Sequence, residues 1–99
     1  MAQVNPVPDG EVDRLLATLE SMVVLLRSSD EPFWADWIEH ARNEIQRRDA
    51  HGLDRLLGAY GGMGSLNDLY LGREAARFDA LKDDAWLIAR DLRAELRGA

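Results

Sequence analysis

No cysteine occurs in the 99 residues, which excludes a disulfide framework, a thiolate metal site and catalysis by a thiol. Basic side chains are in short supply: twelve Lys and Arg stand against eighteen Asp and Glu, a formal net charge of -6. That balance opposes the counterion release that dominates nucleic-acid affinity, so the expectation is a cationic partner and no nucleic acid. Long apolar runs are missing as well. Met22 to Leu26 has five residues, a length no other run exceeds, against the roughly 20 that span a bilayer. Residues 1–10 have neither the basic start nor the apolar stretch of a secretory signal, so the chain reads as cytoplasmic, with no membrane partner. Proline is confined to Pro6, Pro8 and Pro32. The first two mark residues 1–8 as a flexible leader, and the third suits the first turn of a helix.

What is present is an ordinary globular balance, 46% apolar and 30% charged, enough for one domain over residues 1–99. Val12, Leu15, Leu16, Leu19, Met22, Val23 and Leu26 recur at three-and-four spacing and predict a first helix, with Asp9 as its cap and an end near Ser28-Ser29-Asp30. Val24 and Leu25 fall outside that stripe, so they are either covered from a second side or offered to a partner. Ser29 or Asp30 is the expected cap of a second helix that runs to about Asp49, with Trp34, Ile38, Ala41 and Ile45 on one face and Phe33 and Trp37 beside them in the core. On its polar side Glu44 precedes Arg48 by four residues, a favourable surface pair. Asp49-Ala50-His51-Gly52 reads as a break before a short helix carrying Leu53, Leu56 and Leu57. From about Ala75 to Arg97, Phe78, Leu81, Ala85, Ile88, Leu92 and Leu96 predict a long last helix, with acids early and Arg90, Arg93 and Arg97 late, as the helix dipole favours. Three long helices, one short one and brief connections imply an all-α, small antiparallel bundle.

Tyr60-Gly61-Gly62-Met63-Gly64-Ser65-Leu66-Asn67-Asp68 interrupts this helical pattern. Three glycines in four positions mark a corner that needs positive φ or close approach. The lysine of a phosphate loop is absent, a helix and not a strand leads in, and no glycine follows Ser65 by two positions, so neither a phosphate loop nor a nucleophile elbow is indicated. The corner reads as architecture, with Met63 filling the core and Asn67 and Asp68 bonding nearby backbone amides. Residues 66–71 read as irregular, although Ser65 followed by Asp68 carries a weak capping pattern.

His40 and His51 lack the companions of a metal site, and the acids are scattered over helix surfaces without apolar flanks, so no metal, cofactor or catalytic group is expected. Trp86 projects away from the centre of the last apolar stripe, among Lys82, Arg90 and Arg93, while Leu87 points to another side. Trp and Arg dominate binding hot spots, so Trp86, Arg90 and Arg93 form a candidate contact surface.

Gly61, Gly62, Met63, Gly64, Ser65, Leu66, Asn67 and Asp68, with Trp34, Trp37, Ile45, Gly52, Leu53 and Leu56, resemble the pattern of a family of small, uncharacterised bacterial proteins with a Gly-Gly-Met-Gly-Ser, aromatic-or-Leu, Asn-Asp core. By analogy, small acidic bacterial proteins of this kind look like immunity proteins that neutralise secreted toxins. The resemblance therefore implies a non-enzymatic protein-binding module acting on a cationic toxin. A helical regulatory homodimer using Val24, Leu25, Trp86 or Leu87 is the alternative, and an anion-binding protein or enzyme using the corner is a third. The candidate partner-binding residues are Gly61, Gly62, Met63, Gly64, Ser65, Asn67, Asp68, Trp86, Arg90 and Arg93.

Overall fold

The computed structural model describes residues 9–61 and 64–98, without the side chains of residues 9, 97 and 98. The expected leader over 1–8, the cap role of Asp9, the late-helix charge of Arg97, and the core-filling role of Met63 lie outside what is described, as does Gly62. The elements are α1 (Asp9–Ser28), α2 (Pro32–Gln46), α3 (His51–Leu57) and α4 (Ala75–Gly98), with two 3-10 turns, Leu66–Asp68 and Gly72–Glu74, before α4. Among the described residues there is no strand. The chain is all-α, as its periodicity predicts.

α1 packs against α2 and α4, and α3 packs against the same two helices. Leu15, Leu19, Met22, Leu26, Ile38, Leu56, Leu66 and Phe78 are completely buried at the centre. The α1 and α2 axes run antiparallel, because Arg27 meets Asp36 and Glu39 while Arg42 meets Glu20. α3 and α4 are antiparallel for the same reason, with Asp54 paired to Arg93 and Tyr60 bonded to Lys82.

α1 stops at Ser28, where the sequence places its end, but the start and the stop of α2 differ from expectation. Neither Ser29 nor Asp30 caps α2, whose N-cap is Glu31 without a side-chain bond. Asp30 instead takes φ 59 and closes α1: its N–H donates to the Arg27 carbonyl, and that of Glu31 to Leu26. This is the Schellman arrangement, which satisfies carbonyls left over at a helix end. α2 ends the same way at Gln46, before the expected Asp49. Arg48 takes φ 64, its N–H donates to the Ile45 carbonyl, and Asp49 N–H donates to Glu44.

Gly52 is therefore no helix breaker. It is buried in the first turn of α3, where an added Cβ would lie 2.7 Å from Ile45 Cγ1 and 2.8 Å from the Ala41 carbonyl oxygen. The missing side chain lets α3 touch the backbone of α2. Asp49 starts α3 by accepting the His51 N–H at 3.0 Å, and that bond holds its carboxyl below the ordinary range, helped by the His51 ring.

Candidate functional site

The corner begins where α3 runs out of intrahelical partners. Gly61 and Gly64 adopt φ of 85° and 75°, a region that side-chain-bearing residues avoid. Nothing lies within 4 Å of a Cβ built on either, so conformation and not crowding selects glycine here. Among the bonds that fix the segment are Leu66 N–H to the Ala59 carbonyl at 2.9 Å, Asp68 N–H to the Ser65 carbonyl at 3.0 Å, Gly64 N–H to Asp68 Oδ2 at 2.7 Å, and Asn67 N–H to Ser65 Oγ at 3.2 Å. The first latches the base of the loop and drives Leu66 into the core, where it is fully buried. Asp68 thus does bond a local amide as the sequence suggested. Asn67 contributes its own backbone N–H, and its exposed side chain has no hydrogen bond among the described residues. The weak capping pattern at Ser65 is realised as the Leu66–Asp68 3-10 turn.

Across from the corner lies the outer face of α4. Tyr60, Asn67, Asp83, Trp86 and Leu87 line an open groove of about 440 Å³ between the two. Trp86 and Leu87, which the sequence placed on different sides of the helix, both line the groove, three and four residues after Asp83. The fold thereby joins two features that were separate in the sequence, Asn67 at the corner and Trp86 on the last helix. Trp86 is 37% exposed and Leu87 46% exposed, and the Arg90 guanidinium lies 4.9 Å from the Trp86 ring centre. Stacking of this kind on an exposed ring is worth about 0.5 to 1 kcal/mol.

Tyr60 forms one wall. Its hydroxyl donates to the Lys82 carbonyl at 2.8 Å, and burial, with the nearby Asp83 charge second, raises its pKa far above the ordinary phenol value. The ring remains neutral at any physiological pH. Asp83 is exposed, and among the described residues its carboxylate has neither a hydrogen bond nor an ion pair. Its neighbours differ: Asp79 lies 3.3 Å from Lys82 Nζ, while Asp84 takes Arg14 at 2.6 Å and Thr18 at 3.2 Å.

Other predicted site residues take structural roles. Arg93 donates to Asp54 at 2.6 Å and ties α4 to α3, so it does not join Arg90 at the ring. Lys82 is 6% exposed, with Nζ 5.4 Å from the centre of Phe78, and so belongs to the packed side of α4. Gly62 and Met63 lie outside the described residues. Leu25 is buried and Val24 is 58% exposed, which splits the pair that fell outside the α1 stripe. Phe33 is 63% exposed and contacts the half-buried Trp34 and Trp37, so the aromatic trio caps the core from outside instead of filling it. Trp37 Nε1 donates to the Arg55 carbonyl at 2.9 Å.

The sequence placed Glu44 on the polar surface of α2, four residues before Arg48; instead it is buried and accepts from Arg55 at 2.7 Å across α2 and α3, while Arg48 lies past the end of the helix at φ 64. Arg55 lowers the Glu44 pKa, and Glu44 raises that of Arg55. The only sequence signal was its place one turn after Ala41 and beside Ile45, both core residues. A second shallow hollow, about 260 Å³, lies along α2 between Asp36, Glu39, His40, Asn43 and Arg47, but Arg27 already occupies both of its acids. Among the described residues, no three His, Asp or Glu side chains are grouped to hold a metal ion, and no helix is long and apolar enough to cross a membrane.

The fold and groove define a small helical bundle with one mixed polar and aromatic cleft at a glycine corner. The model of a domain of unknown function, DUF6966, matches residues 27–79, just over half of the chain, and the chain belongs to that family. The matched span includes Tyr60 and Asn67 and stops short of Asp83, Trp86 and Leu87. No curated protein and no solved structure is significantly similar to the chain.

Proposed function

We propose that the chain is a non-enzymatic protein-binding module whose contact surface is the groove between the glycine corner and α4, and that its partner is a cationic protein. The observation that carries this reading is the unpaired Asp83 beside an exposed Trp86 and Leu87, in a chain of net charge -6. A hot-spot ring flanked by an unused acid recognises a basic surface, and complementary charge raises the association rate.

In its finer form the module is an immunity protein that neutralises a bacterial toxin by covering a basic cleft. The test is titration of the chain with the purified product of the adjoining gene, coupled to growth rescue when that product is toxic. Complex formation weakened by Trp86→Ala is the expected result. A neighbour that neither binds nor poisons cells overturns the immunity reading. The homodimer alternative retains exposed Val24, Trp86 and Leu87 but loses the buried Leu25. Sedimentation velocity at high concentration decides it, since a strict monomer removes self-association.

A further inference from the structure

We infer that the groove is a receptor for a guanidinium group: an arginine side chain of the partner's basic segment, held between Asp83 and Asn67 against Trp86. This rests on the reading of the chain as a module for a cationic protein, and names the chemistry that the groove accepts.

Three carboxylates lie close together on α4, and the fold has used two of them. Asp79 pairs with Lys82, and Asp84 bridges Arg14 and Thr18. Asp83 is left unpaired among the described residues, on the face that lines the groove. Across the groove, the Asn67 side chain also has no hydrogen bond among the described residues, while its backbone N–H bonds to Ser65. A carboxylate and an amide oxygen offer acceptors for the several N–H donors of a planar guanidinium, which an ammonium meets less completely.

Trp86 already shows the stacking preference, with Arg90 4.9 Å above its ring. That internal stack is lightly held. Arg90 is about half exposed, and its other partner among the described residues is Asp91 at 3.4 Å. An incoming arginine can gain Asp83 as well as the ring, a combination that Arg90 does not make. Leu87 and the Tyr60 ring offer apolar wall to its methylene stem, and Tyr60 adds no competing charge because its proton is held. The groove volume of about 440 Å³ leaves room for one long side chain.

The test uses the isotope-labelled full chain and the peptide acetyl-Gly-Arg-Gly-Arg-Gly amide, with matched peptides carrying citrulline or lysine instead of arginine. Addition of the arginine peptide is expected to move the Trp86 indole N–H and the Asn67 side-chain amide signals saturably, with weaker binding of lysine and least of neutral citrulline. Asp83→Asn should weaken binding about tenfold, the loss of one charge-assisted contact. Arg90→Gln should tighten it, because a competitor and a like charge are both removed. Equal response to citrulline, insensitivity to D83N, weaker binding in R90Q, or shifts confined to α1 and α2 would each overturn the inference. Unchanged spectra elsewhere in D83N and R90Q confirm that the variants fold. A protein partner that binds D83N as well as the parent chain overturns the arginine receptor but not the module. An arginine response in a chain that binds no protein overturns the module alone.

Discussion

Along α1, α2 and α3 most of the charges meet one another, whereas Asp83, on the face of α4 that lines the groove, has no hydrogen bond or ion pair among the described residues. Arg27 joins Asp36 and Glu39, Arg42 lies 3.1 Å from Glu20, and Glu44 is enclosed with Arg55. Arg42 Nε is not aligned for a hydrogen bond with Glu20, so that pair is held by charge alone. At the other seam, Asp83 and Asn67 face a groove with an exposed indole. The same residue types therefore do different work. Charges paired within the molecule hold helices in register and are unavailable to a partner; an unpaired carboxylate beside a ring is available. Net charge alone does not reveal this distinction, because most of the eighteen acids belong to helix surfaces and internal pairs.

The most damaging change should fall at the base of the corner, which ties the open seam to the core. Leu66→Ala removes a fully buried side chain and is expected to cost about 3 kcal/mol in urea unfolding. A loss below about 1 kcal/mol would mean that the corner is not anchored as described. Next comes the closed seam, where Gly52→Ala places a Cβ against α2 backbone that cannot step aside. Overpacking of this kind should cost about 2 kcal/mol, measurable as a lowered Tm.

Gly64→Ala meets open space and suffers only from its positive φ, so about 1 kcal/mol is expected. The closed seam also has a pH signature. The folded pKa values of Glu44 and Asp49 lie below the ordinary 4.5 and 3.8, so their contribution is complete above those values and disappears as pH falls through the lower, folded ones. Glu44→Gln should therefore be less stable than the parent chain at neutral pH, and the gap should close in acid. A gap that persists at the acid end would assign the loss to packing instead. The smallest effect belongs to the open face: Asp83→Asn should change stability by less than about 0.5 kcal/mol, because no described partner is lost.

Much of the bundle was legible because apolar residues at three-and-four spacing have little choice but to form a buried stripe. α1 and α4 follow their stripes closely, and the Gly-rich corner falls where the pattern fails. The helix stops were harder to read. Asp30 and Arg48 occupy left-handed positions that glycine usually fills, while Gly52, which looked like punctuation, is a contact between helices. Propensity cannot report that inversion, since it depends on how near a second helix comes. Glu44 was assigned to the surface for a related reason: its partner Arg55 belongs to another helix, eleven residues on, and only their packing makes burial tolerable. The groove was legible in halves. Asn67 and Trp86 each stood out, but α3 and the corner had to fold back on α4 before they could share a surface.

The bond from Asp84 to Thr18 and Arg14 has a kinetic consequence. It spans 66 and 70 positions of chain, so closing it requires nearly the whole polypeptide to be in place. Contacts so distant carry the largest loop-closure entropy and form after the neighbouring helices have paired. α1 and α2 should thus assemble before α4 docks, with the Asp84 tie acting as a late lock. In stopped-flow measurements, Asp84→Asn should steepen escape from the native state while leaving the rate of reaching it nearly unchanged. Slower folding with an unaltered unfolding limb would instead place the two ends of the chain together at the start.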